Sequence, residues 1–491
     1  MHSLQARLAV RPVLAIVLLG LVLNLSGTWI APLIDRDEPR FAEASREMIE
    51  RNDWVVPWFD GMPRYDKPPL IYWAQMVCYH CLGAGPFAAR LPSALFATGS
   101  ALLIFFWARR FTRPRTALMA AVIFLTCVQT AIHGRLAVAD MPMIFFVCAA
   151  LWSGWELTRP GAAFPWRWWW VFHVSLALGF LSKGPVAWLP VIGLLLGWRI
   201  HPQHFALKPG RLALGMLLTV GLVGLWGIPA LRQTHGEFLY VGLGYHVLYR
   251  SFGVLDGHGG QGWLGWIATS PFYLVMFFIS FFPWAPRVPR ALRNWWPTRG
   301  RDIFGWYLLI QAALVFVVFT FVRTKLMHYT LPAFPCVAIW LAKMEQDGLL
   351  ANLRVARLGA LMTVLIVAVT VATGLVLGPF CVAHSLFEKA RDQLRPEMAI
   401  ATVDYAEPSL VWEFREKLTN QITTLSAEEA VAFLQRTNPA VLIMSTSLYE
   451  TNLARWKMER SVVQVQGYNF SRFDRAKFAF SKIDLTALIH P

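Results

Sequence analysis

Charge is scarce in this chain. Asp, Glu, Lys and Arg make up only 15% of its 491 residues, where a soluble globular protein carries about a quarter. That shortfall excludes a water-soluble enzyme of ordinary surface. Acid is scarcer than base: 29 Asp and Glu stand against 45 Lys and Arg, a formal charge of +16. In a soluble protein such an excess would point to nucleic acid. Here the cations crowd the connections between apolar runs, as in cytoplasmic loops and sites facing membrane phosphates, so lipids are the expected partners and nucleic acid is not. A glycine-rich phosphate loop is absent, which argues against a nucleotide-borne donor. Internal repeats and low-complexity segments are absent too. Of the six cysteines, Cys127, Cys148, Cys336 and Cys381 lie in apolar surroundings and read as small core residues. Cys78-Tyr-His-Cys81 has no second ligand pair behind it, so it reads as two small residues on one helical face.

Apolar residues are abundant: 56% of the chain is hydrophobic, with 23 Trp and 34 Phe. Apolar runs fall near 12–31, 87–108, 116–132, 140–157, 167–182, 184–199, 211–230, 265–285, 303–322, 329–343 and 356–380. Several approach the length that spans a bilayer as a helix. The expected fold is an all-α polytopic membrane domain of eleven to thirteen transmembrane helices over 1–383. Arg7 and Arg11 precede the first run without a small-residue cleavage site before Asp35, so an uncleaved first helix is expected. The basic connections are 109–115, 199–211, 287–301 and 343–357. The positive-inside rule makes them cytoplasmic if the N-terminus is cytoplasmic. The opening loop 32–86, the 133–140, 182–185 and 323–329 turns, the 231–264 loop and the C-terminal tail then face the periplasm of a bacterial inner membrane.

From about residue 384 the composition changes. MAIATVDY (398–405), AVLIMS (440–445), SVVQVQGYNF (461–470) and AKFAFSKID (476–484) have the pattern of strands. Helices are expected at 408–419 and 426–436, the second opened by Ser426 and Glu429 in capping-box spacing. Residues 384–491 therefore read as a small periplasmic α/β domain.

The opening loop is polar between two apolar runs. Residues 39–51 read as an amphipathic surface helix with Phe41, Ala44, Met48 and Ile49 on its apolar stripe and Glu43 and Glu47 solvated. Burying a charge in a bilayer costs roughly 2.5 kcal/mol or more, so charges near apolar runs usually face a cavity. Asp37, Glu38, Arg40, Asp66, Lys67, Arg135, Asp140, Lys183, His246, Arg250, Lys325 and His328 all fall on the outer side. One polar cavity opening outward is expected. Asp37 and Glu38 are the general-base candidates, with a helix cap as the alternative, and Asp140 stands in the same position. Lys67, Lys183, Arg250 and Lys325 have the chemistry that phosphate recognition needs, or that of cations snorkelling at the interface.

DEPRFAEASREM (37–48), YDKPPLIYW (65–73), GRLAVADMPMIFF (134–146), LSKGP (181–185) and TKLMHYTLPAFP (324–335), in that order, resemble the GT-C class of membrane glycosyltransferases. Among them, the chain is most similar to the lipid A aminoarabinose transferases, relatives of the protein O-mannosyltransferases. The resemblance implies Asp37 as base or acceptor organiser, with Asp140 and Glu38 beside it. It implies Arg40, Lys67, Lys183, Arg250, Lys325 and Tyr329 as contacts to a polyprenyl phosphate. Asp66 and His246 resemble a pair that holds a divalent metal, zinc or magnesium or manganese, although Asp66 stands where glutamate is usual. The implied reaction moves 4-amino-4-deoxy-L-arabinose from undecaprenyl phosphate to lipid A. Another glycolipid or a protein acceptor is the alternative within the class, and a flippase for lipid-linked sugar the alternative outside it.

Overall fold

Six segments of the computed structural model are helices long and apolar enough to cross a bilayer: Pro86–Arg109, Asp140–Thr158, Pro209–Gln233, Gly262–Ser280, Ile303–Phe321 and Val355–Phe380. The structure describes residues 2–159, 164–205, 207–253, 260, 262–350, 353–437, 439–453, 461–474 and 479–490. Shorter apolar helices, among them Arg11–Leu25 and Pro114–Leu125, accompany the six. The sequence led to an expectation of eleven to thirteen crossings; among the described residues only these six reach full length. The difference lies in breaks. The 116–132 run is interrupted at Cys127, whose backbone is extended, giving Pro114–Leu125 and Val128–His133. The 329–343 run begins as a tight 3₁₀ turn, Met327–Ala333, before the Phe334–Gln346 helix. Gly184, with φ +78°, ends Trp166–Lys183 and separates it from Leu189–Ile200. A residue with a Cβ is strained at that angle.

The chain divides into two compact units. The first comprises Met1–Ser26, Tyr65–Ile71 and Leu91–Val367. In it Asp140–Thr158 packs along Trp166–Lys183, which in turn packs on Pro209–Gln233. Gly215 makes the second contact possible: a Cβ there would collide with the His173 ring. Trp107, Trp284, Trp295 and Trp340 are fully buried in its core, where large rings supply much of the contact area.

One region departs further from expectation. The 231–264 stretch is not a plain loop, because Phe238–Tyr249 forms a wide-turned π-helix. Its sequence, FLYVGLGYHVLY, contains no acid and only one basic side chain, His246.

The second unit comprises Gly27–Arg64, Tyr72–Arg90 and Ala368–Pro491. The opening-loop residues, assigned from sequence to a 1–383 domain, thus divide between the two units. The loop helix spans Asp37–Glu50, and Phe41, Ala44 and Met48 are buried as expected. Glu43 and Glu47, expected in solvent, are buried as well. The C-terminal part covers this face. Arg46 donates to Trp412 O at 2.9 Å and lies over its indole. Arg415 lies 3.4 Å from Glu43 and 2.6 Å from Glu50. Glu47 accepts from Gly61 N at 3.0 Å and from Asp60 N. Burial pushes the Glu43 carboxyl up to about 7.

The C-terminal sheet has five strands: β1 Ala399–Thr402, β2 Ile422–Thr424, β3 Ala440–Ser445, β4 Ser461–Asp474 and β5 Ala479–His490. Their order is β2-β1-β3-β5-β4. The first three are parallel neighbours, and β5 pairs antiparallel with both β3 and β4. Helices Pro408–Phe414 and Ala427–Arg436 occupy the expected positions, the latter with the Ser426–Glu429 capping box formed. The two-sided burial of β3 matches its run of apolar residues.

Candidate active site

In the first unit a cavity of about 330 Å³ opens among helix ends. Its polar lining comes from five separate stretches. Tyr65, Asp66 and Lys67 arrive on an irregular segment, Asp140 opens its helix, Lys183 closes another, and His246 comes from the π-helix. His328 and Tyr329 add a 3₁₀ turn. The rest of the wall is apolar, with Phe180, Trp226, Leu231 and Phe238. A largely apolar chamber with a few convergent polar groups is the usual form of a ligand site.

Two side-chain pairs organise the polar side. Lys183 Nζ lies 2.5 Å from Asp140 Oδ1. His328 Nε2 approaches the same oxygen at 4.0 Å, and the His133 ring sits 5.1 Å from the His328 ring. Gln129 Nε2 is 3.1 Å from His133 Nδ1. The second pair is Asp66 Oδ1 with His246 Nε2, 2.6 Å apart. Lys67 Nζ donates to Asp66 O at 3.1 Å, which keeps the ammonium beside that pair. Tyr65 packs edge-on to Phe238, and Gly242 lets the π-helix approach, since a Cβ there would meet Tyr65 O at 2.9 Å.

The structure therefore brings Asp66, Lys67, Asp140, Lys183, His246 and Tyr329 to one cavity. Lys325 is outside its wall. It is buried, and its ammonium donates to the carbonyls of Phe319, Thr320 and Val322 at 3.1, 2.7 and 2.6 Å. A cation there caps the C-terminal carbonyls of Ile303–Phe321. The Arg250 side chain lies outside the described residues.

Asp37, Glu38 and Arg40 belong to the second unit. Asp37 is exposed at the first position of its helix. Glu38 is buried, its Oε1 2.7 Å from Arg90 Nε and its Oε2 2.8 Å from Arg90 Nη2. The other Arg90 donors reach the carbonyls of Thr28, Ala31 and Pro32. Arg90 is thus committed through all five N–H groups, and Glu38 holds the loop to it. Arg40 is half-buried near Asp35. Asp35 escaped the sequence reading. It accepts from Ser409 N at 2.8 Å and from Ser409 Oγ, and burial pushes its carboxyl up to about 6. No local motif announces that partner, which lies 374 residues away in sequence. His133 was equally unmarked.

Asp66 and His246 are also the expected metal ligands. Their 2.6 Å separation is that of a direct hydrogen bond. Two ligands on a tetrahedral zinc stand about 3.3 Å apart, and a closed site takes four. Among the described residues no group of three His, Cys, Asp or Glu converges to hold an ion. The donor set among the described residues does not fit a resident divalent ion.

Residues 66–226 match the family model described as dolichyl-phosphate-mannose-protein mannosyltransferase. The chain is 30% identical over 363 residues to the undecaprenyl phosphate-alpha-4-amino-4-deoxy-L-arabinose arabinosyl transferase of Erwinia tasmaniensis, covering 72% of this chain and 63% of that one. It is 31% identical over 371 residues to the protein of the same name from Edwardsiella ictaluri, covering 73% and 65%. It thus spans a little under two thirds of the length of these two relatives. The crystal structure of ArnT from Cupriavidus metallidurans bound to undecaprenyl phosphate superposes with a TM-score of 0.78 at 18% identity, over 96% of this chain and 97% of that one. In sequence, then, this chain is similar to the aminoarabinosyl transferases, and its fold is that of ArnT.

Proposed function

We propose that the chain is an inverting glycosyltransferase that moves 4-amino-4-deoxy-L-arabinose from undecaprenyl phosphate to lipid A. The observation that carries this reading is the clustering of Lys67, Lys183, Asp140 and the Asp66–His246 pair on one side of an otherwise apolar cavity. A lipid-phosphate sugar needs both: cations for the phosphate and a dry wall for the rest. The aminoarabinosyl transferases share enough sequence to support the same donor.

The step is a single displacement. An acceptor oxygen attacks the anomeric carbon, the bond from that carbon to the phosphate oxygen breaks, and its electrons leave with undecaprenyl phosphate. Lys67 and Lys183 face the charge that develops on the leaving group, where preorganised donors lower the barrier most. Asp140 holds Lys183 in place through its ion pair and orients the sugar. His246 and Asp66 fix Lys67 and need no metal to do so. Tyr329 lines the same cavity, and Lys325 caps a helix end outside its wall. The sequence resemblance favours Asp37 as the organiser of the acceptor, taking the proton where that acceptor is a hydroxyl. The reaction side and the C-terminal domain face the periplasm, with the N-terminus cytoplasmic, as the distribution of Arg and Lys favours.

The match of residues 66–226 to a protein mannosyltransferase family favours one second reading, the same displacement onto a protein hydroxyl. Mass spectrometry of lipid A and of envelope glycoproteins, from cells with and without the gene, separates the two. Loss of an aminoarabinose mass from lipid A supports the first reading. Loss of a sugar from proteins alone replaces it, and no change in either rejects both.

A further inference from the structure

The helices that carry Asp140 and Lys183 to the cavity have opposite ends, and those ends are built alike. Asp140–Thr158 runs from the cavity to Arg159, and Trp166–Lys183 runs back from Trp166. Nineteen residues of helix cover about 28 Å, the thickness of a bilayer core. At that far end cations gather over aromatic rings. Arg110 and Arg167 both lie over Trp168, at 5.6 and 5.1 Å. Arg211 and Lys208 both lie over Phe164, at 4.0 and 5.8 Å, and Phe164 packs edge-on to Trp166.

Acid is nearly missing there. Glu156 is buried and already holds Arg110 Nε at 2.6 Å, Arg159 Nη1 at 3.2 Å and Trp152 Nε1 at 3.3 Å. Among the described residues no carboxylate pairs with Arg167, Lys208 or Arg211. The Arg211 Nη1 atom is shielded from solvent and makes no hydrogen bond, while its backbone carbonyl accepts from Trp169 Nε1 at 2.9 Å. A buried guanidinium nitrogen without an acceptor costs free energy until an oxygen meets it.

We propose that this patch is a binding site for the phosphate of an anionic phospholipid, at the membrane boundary opposite the sugar-transfer cavity. The indoles of Trp166 and Trp168 suit the headgroup level, where aromatic rings anchor. Arg167, Lys208 and Arg211 supply the charge that a phosphodiester needs and that no carboxylate among the described residues matches. A zwitterionic headgroup brings its own cation and gains less. The site holds whether or not the cavity transfers sugar.

The test uses the purified full chain in nanodiscs of phosphatidylcholine with graded phosphatidylglycerol, and native mass spectrometry of the lipids retained. The expected result is retention of phosphatidylglycerol over phosphatidylcholine by about fivefold or more, the effect of one to two unmatched cations. The preference should fall as salt rises from about 0.05 to about 0.5 M. The triple variant Arg167→Gln, Lys208→Gln, Arg211→Gln should lose it, and the variant Arg167→Lys, Arg211→Lys should keep it. Equal retention of the two lipids by the wild type, or a preference untouched by salt, overturns the proposal even if the triple variant does not fold. A preference unchanged in a folded triple variant overturns it too. Displacement of the lipid by inorganic phosphate alone would reassign the site to free phosphate.

Discussion

Lys183 and Asp140 meet at 2.5 Å in the cavity wall, Asp140 at the first residue of its helix and Lys183 at the last of its own. The pair is only slightly exposed, with side-chain accessibilities of 13% and 7%. Removing either partner leaves a buried charge unmatched. Lys183→Ala is expected to lower kcat for sugar transfer by about 10²- to 10³-fold, the range for losing one preorganised charge at a reacting centre. Asp140→Asn should do the same. A stopped-time assay with labelled lipid-phosphate sugar and purified variants checks both.

Lys67 makes a different prediction. It is held by the backbone carbonyl of Asp66, which is itself paired to His246. His246→Ala should leave Lys67 less well placed. The expected signature is a raised KM for the lipid donor with a smaller loss in kcat, whereas Lys67→Ala should reduce both. Elemental analysis of purified protein should find less than one zinc per chain, because the two residues bond to each other rather than span an ion. One tightly held zinc per chain, lost in Asp66→Asn, would contradict that account of the pair.

Glu38 predicts loss of folding rather than loss of chemistry alone. Its carboxylate is buried against Arg90, whose five N–H groups are all engaged. Glu38→Gln should destabilise the second unit by about 3–5 kcal/mol, the cost of breaking a buried pair. Thermal unfolding followed by tryptophan fluorescence measures it. A variant of wild-type stability with abolished turnover would return Glu38 to the reacting groups.

Asp35 carries a pH dependence. Burial raises its carboxyl from 3.8 to about 6 in the folded chain. Between those values the folded state holds more protons than the unfolded one, so stability declines as pH rises through that window. The contribution is fully present below about pH 4 and gone above about pH 6. Asp35→Asn should remove a slope of at most about 1.4 kcal/mol per pH unit. Melting curves from pH 4 to 7 decide it, and an unchanged slope would remove Asp35 as its source.

Patterns close in sequence were the legible ones. The capping box at Ser426 and Glu429, the strands at 440–445 and 461–470 and the stripe of Phe41, Ala44 and Met48 each depend on neighbours within a few residues. Lys183 and Asp140 were legible as cavity residues because charge beside apolar helices has few other places to go. Glu43 and Glu47 were misread because their cover comes from Trp412, Arg415 and the 60–61 turn, all distant or irregular. Arg90 hides for the same reason: its acceptors are three loop carbonyls and one carboxylate that no spacing rule connects. The π-helix at Phe238–Tyr249 escaped because no spacing rule marks its wide turns; within it Gly242 allows the close approach to Tyr65.

Transfer by the purified chain tests the central claim most directly. Protein in detergent, given undecaprenyl-phosphate-linked aminoarabinose carrying a label and lipid A as acceptor, should release undecaprenyl phosphate and label lipid A in equal amounts, and Lys183→Ala should do neither. Label that stays on the donor while the lipid merely changes leaflet in vesicles, or transfer that Lys183→Ala performs as well as the wild type, would contradict the account.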